Sequence, residues 1–394
     1  MSTGREAIPI RYAIVPLWLF GLTTAGIVYG SLYPFEFDFG AVSREQLVEA
    51  LFRDWQADSG FGDVLANLVL FLPFGLFGSL AFPGGRPLIR ASVLIAGAIL
   101  VAFGLQVLQL WLPNRVPELA DGVVNLIGTG FGIGFAALPW RRFGGHGLGW
   151  DSRTLLPTLL LGCWLAYLWF PYVPTLDWYT IKQGLKPFLL EPQFEWMSLF
   201  RHTVGWLVFA VLWRECRFRG GSLVAVTIGA VLLQVLIASN DVELDDAVGA
   251  ILGLLIWSGL HRTRNPLGPV LFLAIVLVLV QGLWPLEWQR STFHWMPFRG
   301  FLEGSMLLNF LSLLLKLYFY GALVWLVHRL TRRTVVALVV PVAVTLFVEV
   351  AQTRVAGHTA EIADPLLCVL LWTVVSVLRH REARMPPVGR LSAS

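Results

Sequence analysis

Apolar stretches of about 16–22 residues recur along the whole chain, and no other feature restricts the fold as much. At a helical rise of roughly 1.5 Å per residue, such stretches cross much of a hydrocarbon core about 30 Å thick. A large soluble helical protein is the alternative, but its helices would carry a polar face, and most of these do not. Composition agrees: 56% of the 394 residues are hydrophobic and 14% are charged, against roughly 45–50% and 25% in soluble domains. The stretches predict helices over 12–31, 64–82, 88–112, 123–140, 155–170, 197–213, 223–238, 247–260, 269–284, 306–327, 335–350 and 366–378. The expected fold is therefore all-α, a polytopic transmembrane bundle of about twelve helices. Several helices are short, which implies tilt or local thinning of the bilayer. Trp111, Trp140, Trp169, Trp213 and Trp284 fall at helix ends, where indole rings favour the interface.

The loops alternate in sign. One set, with both tails, holds Arg5, Arg11, Arg86, Arg90, Arg141, Arg142, Arg153, Arg214, Arg217, Arg219, Arg262, Arg264, Arg329, Arg332, Arg333, Arg379, Arg381, Arg384 and Arg390. That set carries nineteen of the 29 basic residues but only Glu6, Asp151, Glu215 and Glu382 as acids. The other set carries most of the acids, and the Arg excess assigns the first set to the cytoplasm. The net charge of +4 is thus the residue of two opposed faces and implies no nucleic-acid partner. Cys163, Cys216 and Cys368 lie in or beside different helices and imply neither a disulfide nor a zinc site. No cofactor is implied.

Three segments share one pattern. Each opens with a helix ending in an aromatic–Pro step, at Tyr33-Pro34, Phe170-Pro171 and Trp284-Pro285. An outer loop, a second helix, an Arg-bearing inner loop, a third helix, a short acidic outer loop and a fourth helix follow. The acidic loop reads Gln109, Arg115, Glu118, Asp121 in the first segment, Gln234, Asn240, Glu243, Asp246 in the second, and Gln352, His358, Glu361, Asp364 in the third. The offsets from the glutamine are +6, +9 and +12 each time. An even number of helices per segment gives three parallel four-helix repeats, over 12–140, 155–260 and 268–379, between cytoplasmic tails 1–11 and 380–394.

Polar residues converge near the outer helix ends. In the first repeat Asn67 lies on the second helix, Gln106 and Gln109 on the third, and Asp121 and Asn125, at i and i+4, on one face of the fourth. Helical rise puts them in one layer, about 5–7 Å below the outer surface, with Arg115 and Glu118 above it. Lipid offers such groups no partner, so they face the bundle interior. Gly75, Gly78, Gly128 and Gly132 let the helix backbones approach closely. Two readings stay open: hydrogen bonds that tie helix ends together, or an outward-facing pocket for a headgroup, sugar, peptide or cation.

At these residues the chain resembles the VanZ-like family of bacterial membrane proteins. The likeness is carried by Asn67-x3-Phe71-x-Pro73-x-Gly75, by Gln109 and Arg115, and by Asp121-x3-Asn125-x2-Gly128-x3-Gly132. It is good over about 12–140, partial over 268–379 and weak over 155–260. The family commonly has Glu three residues before the glutamine; here that position is Gln106, and the third repeat restores it as Glu349 before Gln352. That repeat also has Asn309 where the first has Asn67, and Cys368 where the first has Asn125. The resemblance implies a multi-pass protein of the bacterial inner membrane and a setting in the cell envelope, after the family's role in low-level teicoplanin resistance. The first functional expectation is binding of, or control of access to, a cell-wall or lipid-linked precursor at the outer face. The second is a membrane-embedded enzyme using Glu118 and Asp121, or His358, Glu361 and Asp364, on a lipid-linked glycan. The third is a transporter, for which charges inside the spans are few. No Walker A, HExxH or GxSxG motif occurs.

Lys316 and Glu349 are the clear cases of charge inside the spans. They appear together in the third repeat, with Phe74 and Gln106 at the matching positions of the first. An unpaired charge in hydrocarbon costs at least about 2.5–3.5 kcal/mol, so the sequence predicts that they pair. The charge pattern generates a topology test. In a background without the native cysteines, Asp58→Cys is labelled from outside intact cells and Arg333→Cys is not; external labelling of Arg333→Cys overturns the assignment.

Overall fold

A computed structural model of the chain describes residues 14–40, 61–82, 86–113, 119–137, 154–190, 194–218, 220–238, 243–303 and 306–382. Among these residues the regular structure is helical, and extended pairing is confined to isolated bridges. The chain divides into two compact units, residues 1–149 with 304–307, and residues 150–303 with 308–394.

The first unit holds α1 (Ile14–Leu32), α2 (Phe61–Ala81), α3 (Pro87–Gln109) and α4 (Leu119–Ala137). Its core is Ile27, Leu32, Phe71, Phe74, Ala98, Ala102, Leu105 and Leu112, with Phe20 against Phe74 at 4.8 Å between ring centroids. Glycine sets the approach of α2 to α4. A Cβ on Gly75 would run into the Thr129 carbonyl, one on Gly128 into the Leu68 carbonyl, and one on Gly132 into the Leu72 carbonyl. Van der Waals contact between backbones is the main attraction left to helices in lipid, where burial of apolar surface gains nothing. Leu88, Val93, Leu100, Ile127 and Phe131 point outward, as a lipid-facing surface requires.

The second unit holds α5 (Leu155–Leu168), α6 (Trp178–Leu189), α7 (Trp196–Glu215), α8 (Gly220–Gln234), α9 (Leu244–Leu260), α10 (Leu267–Leu283), α11 (Arg299–Glu303), α12 (Met306–Thr331), α13 (Thr334–Gln352) and α14 (Ala363–Glu382). Two of these are buried all round, α7 over 202–212 and α12 over 318–327, which marks them as the centre. Trp164 on α5 joins them, stacking on Tyr318 at 5.0 Å and edge-on to Trp206 at 6.0 Å. Tyr318 donates its hydroxyl to the Gly205 carbonyl at 2.7 Å. At the end of the unit away from the acidic loops, Arg329 pairs with Glu215 at 2.5 Å.

One backbone arrangement occurs three times at fixed offsets. The aromatic–Pro bond is cis at Tyr33-Pro34, Phe170-Pro171 and Trp284-Pro285, and the next residue has positive φ: 66° at Phe35, 63° at Tyr172 and 64° at Leu286. Four residues past each proline, an amide donates to the carbonyl two residues past the glutamine: Asp38 to Trp111 at 2.8 Å, Thr175 to Leu236 at 2.8 Å and Gln289 to Arg354 at 3.1 Å. The return bond runs from Ala238 to Val173 and from Ala356 to Glu287, both at 2.8 Å. In the first set that donor position is Pro113, which has no N–H to give.

Four of the helical segments are long and apolar enough to cross a membrane: Pro87–Gln109, Ala120–Ala137, Leu308–Thr331 and Thr334–Gln352. Shorter apolar segments are Pro16–Leu32, Asn67–Ala81, Leu155–Leu168, Gly220–Gln234, Leu267–Leu283 and Ala363–Ser376. The helices fall close to the expected ranges, and α6 and α11 are additions, between α5 and α7 and between α10 and α12. The glycine interface yields a test by thermal unfolding in detergent. Gly132→Ala costs about 1–3 kcal/mol by forcing α2 and α4 apart. Gly97→Ala, on open space in α3, costs nothing measurable; equal effects would discount the close approach.

Candidate functional site

Each acidic loop delivers an aspartate to the first turn of the next helix: Asp121 on α4, Asp246 on α9 and Asp364 on α14. There the unpaired N–H groups of the helix favour a carboxylate. The glutamines do a second job. Gln109 Nε2 donates to the Ser31 carbonyl and Gln352 Nε2 to the Gly282 carbonyl, both at 2.8 Å. Both acceptors lie three residues before the proline, so these side chains satisfy a carbonyl freed where the first helix ends. Gln234 is buried.

The third set is the most connected. Asp364 accepts from Lys316 Nζ on one oxygen and from the Tyr320 hydroxyl on the other, each at 2.6 Å. Lys316 and Tyr320 are i and i+4 on α12 and share a face. Glu349 accepts the backbone N–H of Glu361 at 2.7 Å, and Glu361 accepts the Gly300 N–H at 3.2 Å. Burial pushes the Glu361 carboxyl above its ordinary range, and the Gly300 N–H and Lys316 partly offset this. His358 Nε2 is 2.7 Å from the Trp284 carbonyl, which accepts its proton. Asn309 lies half-buried one helical turn into α12.

The expected Lys316–Glu349 bridge is therefore corrected to Lys316–Asp364. The reason lies in what already holds Glu349: its carboxylate accepts the Glu361 N–H, while Lys316 and Tyr320, on one face of α12, reach the two oxygens of Asp364.

In the second set, Asp246 faces His202 on α7, with Nε2 3.0 Å from its carboxylate. His202 Nδ1 is 3.0 Å from the Ser198 carbonyl. Both ring nitrogens of His202 therefore face oxygen atoms, one of Asp246 and one of Ser198. Gly249 and Gly253 sit against His202, Thr203 and Trp206, so α9 packs close to α7. Glu243 caps α9 and is raised by burial and by the neighbouring Asp245 and Asp246 carboxylates. Asp245 is wholly buried. His202 escaped the sequence reading, although it lies seven residues before Phe209, the register that relates Asn309 to Lys316.

In the first set, Asn67 occupies the His202 position and Phe74 the Lys316 position, so neither supplies a cation. Gln106 and Asn125 are buried, and Asp121 and Asn67 are half-buried. The Asn125 carbonyl oxygen has no hydrogen-bond partner, and the backbone carbonyl of the same residue holds Thr129 at 3.0 Å. Arg115 and Glu118, with Asn240 of the second set, lie outside the described residues.

The VanZ/LLP1 family model matches residues 14–140. Those residues form a VanZ-like unit. The match covers the first compact unit from α1 through α4, with its glycine interface and polar layer. No curated protein and no solved structure matches the chain.

The corrected pair is open to a double-mutant cycle. Lys316→Met and Asp364→Asn each destabilise the protein by about 1.5–3 kcal/mol, as expected for hydrogen bonds to charged groups. The double variant loses less than the two together by about 0.5–3 kcal/mol. Lys316→Met combined with Glu349→Gln is strictly additive; coupling there and none with Asp364 would restore the original pairing.

Proposed function

We propose that the chain is a multi-pass protein of the bacterial inner membrane, built of three tandem VanZ-like repeats with both termini cytoplasmic. Its first repeat binds the polar portion of a cell-wall or lipid-linked precursor at the outer face, and so affects glycopeptide access to it. Support for the triplication comes from the backbone bonds that recur four residues past each proline and two past each glutamine. Support for a division of labour comes from the aspartates. His202 meets one and Lys316 with Tyr320 meets another, whereas the matching positions of the first set, Asn67 and Phe74, carry no cationic side chain.

The observation that carries the binding reading is the buried Asn125 carbonyl oxygen, which has no hydrogen-bond partner and lies one turn below Asp121. A buried acceptor without a donor costs about 1–3 kcal/mol, and a ligand hydroxyl or amine would recover that cost. Asn67, Asp121 and Asn125 together accept and donate, which suits a hydroxyl-rich glycan or the amines of a peptide stem. The enzymatic alternative draws less support, because His358, Glu361 and Asp364 are engaged in holding helix ends and loops.

The test is binding of an undecaprenyl-linked muropeptide to the purified protein in lipid nanodiscs. Asn125→Ala and Asp121→Asn weaken binding about tenfold or more, the loss of one good hydrogen bond, while the ligand-free protein still folds and its unfolding temperature is not lowered. The equivalent change at Asp246 leaves affinity intact in whatever fraction folds. Unchanged affinity in both first-repeat variants, or their failure to fold, removes the site.

A further inference from the structure

The segment after each cis proline is tied to the acidic-loop end of its set through the amide four residues on. Just before it runs an apolar helix, Pro16–Leu32, Leu155–Leu168 or Leu267–Leu283. Each segment therefore stands at the level where the apolar length of its set stops.

At odd offsets past the proline these segments carry large apolar side chains that nothing covers. Phe35 is 39% exposed and Phe39 69% in the first set, Leu176 is 90% exposed in the second, and Leu286 61% and Trp288 87% in the third. Phe37 packs on the core of the first unit instead, and Tyr172 is half-buried. Between the open apolar residues stand Glu36 and Asp38, or Glu287 and Gln289, which are exposed as well. Extended chain sends successive side chains to opposite sides, so apolar and polar groups part company. Beside the third segment, the exposed indoles of Trp284 and Trp196 meet edge-on at 4.8 Å. Indole and phenyl rings at the ends of apolar helices are the composition that settles at a bilayer interface.

We propose that these segments rest in the headgroup zone of the outer leaflet, with the open apolar residues toward the acyl chains and the polar ones toward water. The occupant of the apolar side is lipid, on three grounds. A protein partner reads shape, and phenyl, isobutyl and indole groups at matching places share no shape; lipid reads apolar character alone. In the third set the open side continues onto the membrane-spanning helix α13, where Phe347 and Val350 are exposed just before Gln352. Arg290 takes the place of Phe39 and Leu176 there and is exposed, and its long stem lets the guanidinium reach lipid phosphate while the stem stays on apolar surface. The proposal rests on the membrane placement given above and is independent of the ligand reading.

Nitroxide labels at Leu176→Cys, Leu286→Cys, Trp288→Cys and Gln289→Cys test it, in full-length protein without the native cysteines, reconstituted in vesicles. The readout is collision with oxygen against collision with a water-soluble nickel chelate. Labels at 176, 286 and 288 favour oxygen, at a depth of about 5–10 Å, and the label at 289 favours nickel. Nickel access at 176, 286 and 288 puts the segments in water, and protection from both reagents puts them against protein; either overturns the proposal. A label at Val339→Cys, 55% exposed on α13, favours oxygen whether or not the segments touch lipid. Nickel access there removes the membrane placement, and this proposal with it. The oxygen preference at 288 is larger in phosphatidylglycerol than in phosphatidylcholine vesicles, and Arg290→Gln removes that gain. Equal preference in both lipids overturns the role of Arg290.

Discussion

An amide four residues past a helix-ending proline, bonded to a carbonyl two residues past a glutamine, ties the same two stretches of chain together at three places. Backbone groups near a bilayer must find partners inside the protein. A helix that stops there leaves carbonyls open, and the loop and the glutamine side chains of the first and third sets close them. Because first and third helices are tied in this way, the next residues of the chain always arrive at the same place. The aspartate twelve residues past the glutamine opens the following helix each time, at Asp121, Asp246 and Asp364.

What meets that aspartate differs between the sets. Glycines at 75, 128 and 132 bring α2 and α4 into backbone contact, and Gly249 and Gly253 do the same for α9 on α7. His202 meets Asp246 across the second of these contacts. On α14 the positions matching Gly128 and Gly132 are Leu371 and Val375, and Lys316 and Tyr320 of α12 reach Asp364.

Much of this was legible in the sequence. Apolar runs gave the spanning helices because lipid requires unbroken apolar length, and the Gln-to-Asp spacing gave the acidic loops because their backbone geometry is fixed. The glycine pattern gave the α2–α4 contact. The partner of Lys316 was not legible, since depth along a helix says nothing about the lateral distance between α12 and α14. His202 was hidden because it replaces the motif asparagine with a different chemistry at the same position. Helix α6 was missed because twelve residues are too few for a spanning signal, and its two lysines read as loop.

The account rests on the first polar layer taking a ligand, while His202 and Lys316 meet the aspartates of the other two. The most direct measurement is photocrosslinking with a diazirine-bearing undecaprenyl-linked glycan in native membranes, with adducts mapped by peptide mass spectrometry. The account predicts adducts on α2 and α4, around Asn67 and Asn125, and none around His202 or Lys316. Adducts spread equally over the three sets, or absent from the first, would contradict it.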